Sequence, residues 1–277
     1  MLAAACALGA SIAWGVADFF GGLKSRTVHL LVVLLLAQVS GLLGIALVVA
    51  LAGNGPPGAS VLWATLAGVF GTLGLAAFYR GMAVGSMSVV APIAAVGAVV
   101  PVTFGIATGD DLSAAQLAGF ALALAGVALA SFERHQGGDV KVAAGVPWAL
   151  AAVIGFGGYY VPMHEASEQD FLWAALVFRA SVGLMTFGAW LVLRPPLAAA
   201  RGSLGTIALI GVMDTAANAL FAAASSQGAV SVVSVLSTLY PVTTVGLAAL
   251  VLSERLARHQ LFGVVAALAG VVLISSG

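Results

Sequence analysis

The sequence predicts an all-α integral membrane protein: ten transmembrane helices arranged as two inverted five-helix repeats. Three observations carry this. The hydrophobic set makes up 62% of the 277 residues and the charged set only 7%, against about 45–50% and about 25% in an ordinary soluble domain. Polar and Pro/Gly breaks divide the chain into ten apolar segments. The two halves also align on each other, and the charges of their equivalent loops reverse.

Composition excludes several classes of function. Ten acidic and ten basic side chains cannot cover a soluble globule of this size, whose surface needs roughly 25–35% charged residues. A soluble enzyme, a nucleic-acid binder and a disordered protein are therefore ruled out. A single cysteine, Cys6, leaves no intramolecular disulfide and no CxxC redox or metal site. The 35 glycines point to close helix–helix packing in lipid, where small residues let backbones approach.

A helix needs about 20 residues to cross about 30 Å of hydrocarbon. The spans fall at 2–22, 29–52, 60–80, 86–108, 113–132, 142–163, 171–193, 204–226, 230–252 and 257–275. The breaks between them are Lys24 to Arg26, Asn54 to Gly58, Gly81 to Gly85, Gly109 to Asp111, Glu133 to Lys141, His164 to Asp170, Arg194 to Arg201, Gln227-Gly228 and Glu254 to Arg258. Residues 1–22 carry Asp18 and lack a basic leader, so they read as the first span rather than a signal peptide. The segments are apolar all round, which excludes the two-residue alternation of a β-barrel.

The repeats are residues 1–135 and 141–277. At an offset of 143, Gly68 meets Gly211, Thr72 meets Thr215, Phe78 meets Phe221, Gly85 meets Gly228 and Ser88 meets Ser231. At an offset of 144, Leu112 meets Leu256, Gln116 meets Gln260, Gly119 meets Gly263, Gly126 meets Gly270 and Ser131 meets Ser275. An odd number of helices per repeat forces the second copy to enter with opposite orientation. The charges agree: Lys24 and Arg26 face Glu165, Glu168 and Asp170 in the equivalent loop, and Asp110 and Asp111 face Arg255 and Arg258. Lys24, Arg26, Arg134, Lys141, Arg194, Arg201, Arg255 and Arg258 all lie in odd-numbered loops. The positive-inside rule then makes the odd loops cytoplasmic and puts both termini outside. Inverted repeats place a transporter's site at the repeat interface near the midplane.

The run Ser231 to Pro241, followed by Ser253-Glu254-Arg255-Leu256, Gln260 and Ala269-Gly270-Val271, resembles the closing motif of an EamA domain. Trp14-Gly15 resembles the family's opening. As two tandem EamA domains, the chain is similar to the ten-helix members of the drug/metabolite transporter superfamily. That resemblance implies a multi-pass carrier of the bacterial inner membrane, often an exporter of metabolites or amino acids. The first copy departs from the pattern. Asp110-Asp111 stands in place of Glu254-Arg255, and Pro101 sits about one turn later than Pro241 predicts, so the fourth helix is expected to bend at a different depth from the ninth.

Ionisable groups inside a membrane cost at least about 2.5–3.5 kcal/mol and mark function by default. Asp214 lies near the middle of the eighth span with Asn218 one turn on, so both share a face. They serve either as a substrate or proton site or as a polar clasp between helices. Arg179, about 12 Å into the seventh span, offers a fork for a carboxylate or phosphate, or pairs with Asp214. Asp18 and Arg80 stand near the cytoplasmic ends of their spans. They are candidates for gating or coupling, or else Asp18 pairs with Arg80, Lys24 or Arg26 and Arg80 snorkels to the interface. Trp14, Tyr159 and Tyr160 suit the wall of a cavity for an organic solute, and Gln38, the approximate match of Arg179, faces the same cavity. Pro92, Pro101, Pro162 and Pro241 break helices, which is tolerated against protein or a water-filled cavity.

No Walker loop is present, and no metal or other cofactor is expected. The function that emerges is secondary transport of a small organic solute by alternating access and in the direction of export, with a zwitterion as the candidate solute and protons as the candidate coupling ion. The alternatives are a channel or structural membrane subunit and, less favoured, an intramembrane enzyme, which lacks a nucleophile–base pair here.

Overall fold

The computed structural model describes residues 2–53, 58, 60–107, 113–130, 132–134, 140–228 and 230–276. Asn54 to Pro57, Asp110, Asp111, Leu112 and Ser131 lie outside the described residues. Twelve α-helices and one short hairpin make up the described chain. The helices are α1 Leu2–Ser25, α2 Leu30–Ala52, α3 Ser60–Val84, α4 Met87–Ala95, α5 Val99–Ala107, α6 Ala114–Ala130, α7 Val146–Ser167, α8 Phe171–Leu193, α9 Leu204–Ser225, α10 Val230–Thr238, α11 Tyr240–Leu252 and α12 Arg258–Ser276. The hairpin pairs β1 Phe132–Arg134 with β2 Val140–Val142 in antiparallel register. Counting the short 3-10 segment that leads into α9, six helices are long and apolar enough to cross a membrane; the apolar segments Met87–Pro101, Leu236–Leu252 and Arg258–Leu273 are shorter.

Local chemistry explains the helix ends. Asp170 caps α8 by accepting from Leu172 N (2.9 Å) and Trp173 N (3.1 Å), which answers two amides that the first turn leaves free. The sixth predicted span starts later than expected. Val142 is taken by the hairpin, and Pro147 in the first turn of α7 opens the helix where its missing N–H costs nothing.

The fourth and ninth predicted spans are each broken in two. A 3-10 turn over Val96–Ala98 separates α4 from α5, and Leu239 separates α10 from α11. Subtracting the repeat offset of 143 from Leu239 gives Val96, so the two breaks fall at matching positions. This corrects the expectation of different depths. Pro101 sits in the first turn of α5, where it is accommodated without moving the break. Pro92 and Pro162 lie inside α4 and α7 without ending them, so they are not the breaks the sequence predicted. Neighbouring helices can absorb the one missing bond at a proline.

Side-chain-free contact sets the closest helix pairs. A Cβ on Gly126 of α6 would stand 2.6 Å from Gly263 O and 2.9 Å from Ala267 Cα. A Cβ on Gly270 of α12 would stand 2.7 Å from Gly119 O and 2.8 Å from Ala123 Cα. Numbers fall along α6 as they rise along α12, so the two helices run antiparallel with backbones in contact. The apolar side chains left outside, such as Leu43, Leu51, Leu62, Ile154, Leu184, Val192 and Leu250, are exposed, as a lipid-facing surface requires.

Gly270→Leu should destabilise the fold by at least about 1–3 kcal/mol, because the new side chain has only backbone to displace. Gly44→Ala, at a position with open space around it, should be neutral or slightly stabilising. Thermal unfolding of the two variants in detergent reads the contrast.

Candidate functional site

A cavity lies among α1, α2, α3, α7, α8, α9 and α11. All seven residues predicted to bind substrate line it: Trp14, Gln38, Tyr159, Tyr160, Arg179, Asp214 and Asn218. Asp18 lines it too. Arg80 does not; it is exposed on α3, away from the cavity.

The polar residues form one network. Arg179, 1% exposed, donates through Nη1 to Asp214 Oδ2 (2.7 Å) and to Gln38 Oε1 (2.6 Å). Asn218 Nδ2 donates to Asp214 Oδ1 (3.3 Å) and to the Asp214 carbonyl (2.6 Å). Tyr159 OH donates to Asn218 Oδ1 at 2.9 Å. The chain Gln38–Arg179–Asp214–Asn218–Tyr159 thus crosses four helices without a gap. Both Asp214 oxygens are used, whereas Arg179 Nε and Nη2 are buried and make no hydrogen bond among the described residues. The i,i+4 spacing of Asp214 and Asn218 on one helix face is what lets the amide brace the carboxylate.

Asp18 is buried at 4% exposure and makes no hydrogen bond or ion pair among the described residues. Of the two readings of Asp18, the pairing with Arg80, Lys24 or Arg26 is not made. Asp18 turns to the cavity one helical turn after Trp14, and Arg26 is engaged by Glu254 instead.

Aromatic rings close the walls. Trp14 meets Tyr159 edge-on at 6.2 Å between centroids, and Tyr159 meets Phe178 at 5.2 Å and Tyr160 at 5.4 Å. The Arg179 guanidinium lies 5.8 Å from the Phe178 ring centre, within cation–π range. Tyr160 OH is paired with Thr238 Oγ1 at 3.1 Å beside the α10–α11 break. Phe156, Phe178, Leu75, Val182 and Tyr240 also line the cavity. Nothing in the sequence marks Phe156, Phe178, Leu75 and Val182 as wall residues, because an apolar or aromatic side chain in an apolar helix carries no sign of which neighbour it faces. Among the described residues, no group of three His, Cys, Asp or Glu stands close enough to hold a metal.

One further residue stands out away from the cavity. Glu254 accepts hydrogen bonds from Ser86 Oγ (3.0 Å), Ser88 Oγ (2.9 Å), Ser88 N (3.1 Å) and Met87 N (3.4 Å), and pairs with Arg26 Nη2 at 3.3 Å. Burial works against its charge, but the bonds from Ser88, Ser86 and Met87 outweigh it and hold the carboxyl below its ordinary value of 4.5.

Residues 143–276 match the model of the EamA-like transporter family. The second half of the chain resembles an EamA domain. It contributes Tyr159, Tyr160, Arg179, Asp214, Asn218 and Tyr240 to the cavity. Members of this family are membrane transporters, and the six long apolar helices agree with a multi-pass membrane protein. The chain also resembles a solved structure described only as a crystal structure of a protein. The TM-score is 0.65 at 14% identity, over 96% of this chain and 95% of that one. At that identity the likeness concerns the fold alone. A search of curated proteins returned no significant match.

Two outcomes follow from this geometry. Asp214→Asn should cost about 3–5 kcal/mol, because it leaves the Arg179 charge buried without its counter-charge. Pairing Asp214→Leu with Arg179→Met should recover most of that loss, read by thermal unfolding in detergent. Glu254 has a depressed folded pKa, so its contribution to stability is present above its ordinary value of 4.5 and is lost as pH falls through the folded value. A melting series through the acid range should show this loss in the parent and not in Glu254→Gln.

Proposed function

We propose that this protein is a secondary transporter that moves a small zwitterionic organic solute across the bacterial inner membrane by alternating access. Residues 1–135 and 141–277 form two inverted five-helix repeats, giving ten spans. The observation that carries the reading is Arg179. It lines the cavity with one nitrogen held by Asp214 and Gln38, and its Nε and Nη2 are left without protein partners. Adjacent guanidinium nitrogens of this kind match a carboxylate by two parallel bonds, and leaving them unanswered in an apolar bundle is costly. Asp18, in the same cavity and without a protein partner, takes the ammonium group of the solute or a coupling proton. The aromatic walls hold its apolar part.

Recurring contacts support the repeat. Gly68 packs on Phe178 O and Ser181, and Gly211 packs on Ala37 O and Ser40. Gly15 packs on Tyr240 O and Thr243, and Gly157 packs on Gly97 O and Val100. Each second set follows from the first by an offset between 141 and 143. By the same arithmetic Gln38 is the mate of Arg179, so their hydrogen bond joins equivalent positions. The antiparallel course of the equivalent helices α6 and α12 supports inversion. Arg26 reaches Gly85 O, Gly85 abuts Gly145, and Glu254 reaches Ser86. The first, third, fifth and ninth loops therefore gather at one end, which the charge rule assigns to the cytoplasm. The direction of export follows the family resemblance, and an ion gradient or the solute's own gradient supplies the drive.

A thermal-shift panel of amino acids, nucleosides, sugars and hydrophobic cations tests this, with Arg179→Ala beside the parent. A ligand at 100 times its Kd stabilises by about 2.7 kcal/mol. A zwitterion should stabilise the parent and not Arg179→Ala, and its amide and deaminated analogues should be weaker. A ligand retained by Arg179→Ala would make Arg179 structural. No response from any class, together with a linear and unsaturable flux, would favour a channel.

A further inference from the structure

The end of the bundle that gathers Arg26, Gly85, Gly145 and Glu254 is closed. Between it and Asp18 lie Phe19, Phe78, Tyr79 and Met82, each at most 1% exposed. The Tyr79 ring rests on Gly21 and Met82 on Gly22, leaving no room for a side chain at either glycine. Over this plug, Glu254 ties the two halves together. It comes from the loop between α11 and α12, and its partners are the first turn of α4 and, through Arg26, the loop after α1. Ser86 is the N-cap residue of α4, yet its hydroxyl makes no cap of its own and donates to Glu254 instead. The carboxylate from the other half therefore does the capping, where an anion is favoured by the free amides of the first turn. Ser253 takes a left-handed conformation, φ 54°, which is costly for a residue with a Cβ and turns the chain so that Glu254 points back at α4.

We propose that Glu254 is a latch that holds this mouth of the cavity shut, and that its release from α4 and Arg26 opens the path to Asp18 and Arg179 from that side. The inference rests on the alternating-access reading. Two features suit a releasable latch rather than a permanent strut. The Arg26 and Glu254 side chains keep 30% and 16% of their surface exposed, so water can replace the bonds when they part. The α4 amides lie at a helix start, where water also reaches them once the carboxylate leaves.

The test places one reporter cysteine, Leu75→Cys, in the cavity wall of a Cys6→Ser chain in proteoliposomes. A membrane-impermeant maleimide is applied from the Glu254 side and, separately, from the other. Glu254→Ala should raise the labelling rate from the Glu254 side by about tenfold or more, the scale expected for losing charge-assisted bonds. Arg26→Ala, which removes one partner at an exposed position, should raise it less and in the same sense. Should Glu254→Ala fail to fold, Arg26→Ala and Ser88→Ala decide. An unchanged rate in the folded variants, or an equal rise from both sides, would overturn the latch. The readout needs no transported solute, so a panel without a ligand would count against the transport reading and leave this result standing.

Discussion

A positive charge deep in an apolar bundle has to be answered from within the bundle, and Arg179 is the residue on which the rest of the interior depends. Its guanidinium is 1% exposed and bonded to Asp214 and Gln38. Asp214 is held in turn by Asn218, and Asn218 by Tyr159. These side chains come from α2, α7, α8 and α9, so the charge fixes the mutual placement of four helices. A dry ion pair of this kind contributes little net stability compared with apolar packing. Its persistence in a membrane interior, beside a cavity that exposes a second carboxylate, is better explained by what it binds.

The glycine contacts supply the complementary constraint. Backbones that touch at Gly126, Gly263 and Gly270 leave no slack between α6 and α12, and glycines also seat cavity helices on one another, Gly155 of α7 on Gly74 of α3 and Gly15 of α1 on Tyr240 O of α11. Rings and polar side chains line the void that these seams enclose. The breaks at Val96–Ala98 and Leu239 lie at matching positions, beside Tyr160–Thr238 in one case, where a helix can flex without losing a full turn of bonds.

Much of this was legible in the sequence, for a physical reason. Charged and amide groups are rare in an apolar chain, so Arg179, Asp214, Asn218 and Gln38 announced themselves by their cost, and aromatic pairs beside glycines pointed to Trp14, Tyr159 and Tyr160. What the sequence did not disclose depends on partners far along the chain. Glu254 sits 166 residues from Ser88, and its place in a motif names the residue without naming the partners it reaches. Asp18 carries two readings in the sequence, gating or coupling and pairing with Arg80, Lys24 or Arg26, because helix depth alone does not say which face turns to the cavity. The apolar walls were silent for the same reason, and Arg80 drew attention through its charge although it stands exposed. Prolines were over-read, since Pro92 and Pro162 are absorbed inside helices that packing keeps whole.

Counterflow in proteoliposomes shows whether a solute site at Arg179 opens to the two sides of the membrane in turn. Vesicles preloaded with an unlabelled amino acid are mixed with a trace of the same compound in labelled form. Label should accumulate transiently above its outside concentration, saturating with concentration, and should fail to accumulate in Arg179→Ala. A flux that rises linearly without saturation, or accumulation that persists unchanged in Arg179→Ala, would contradict it.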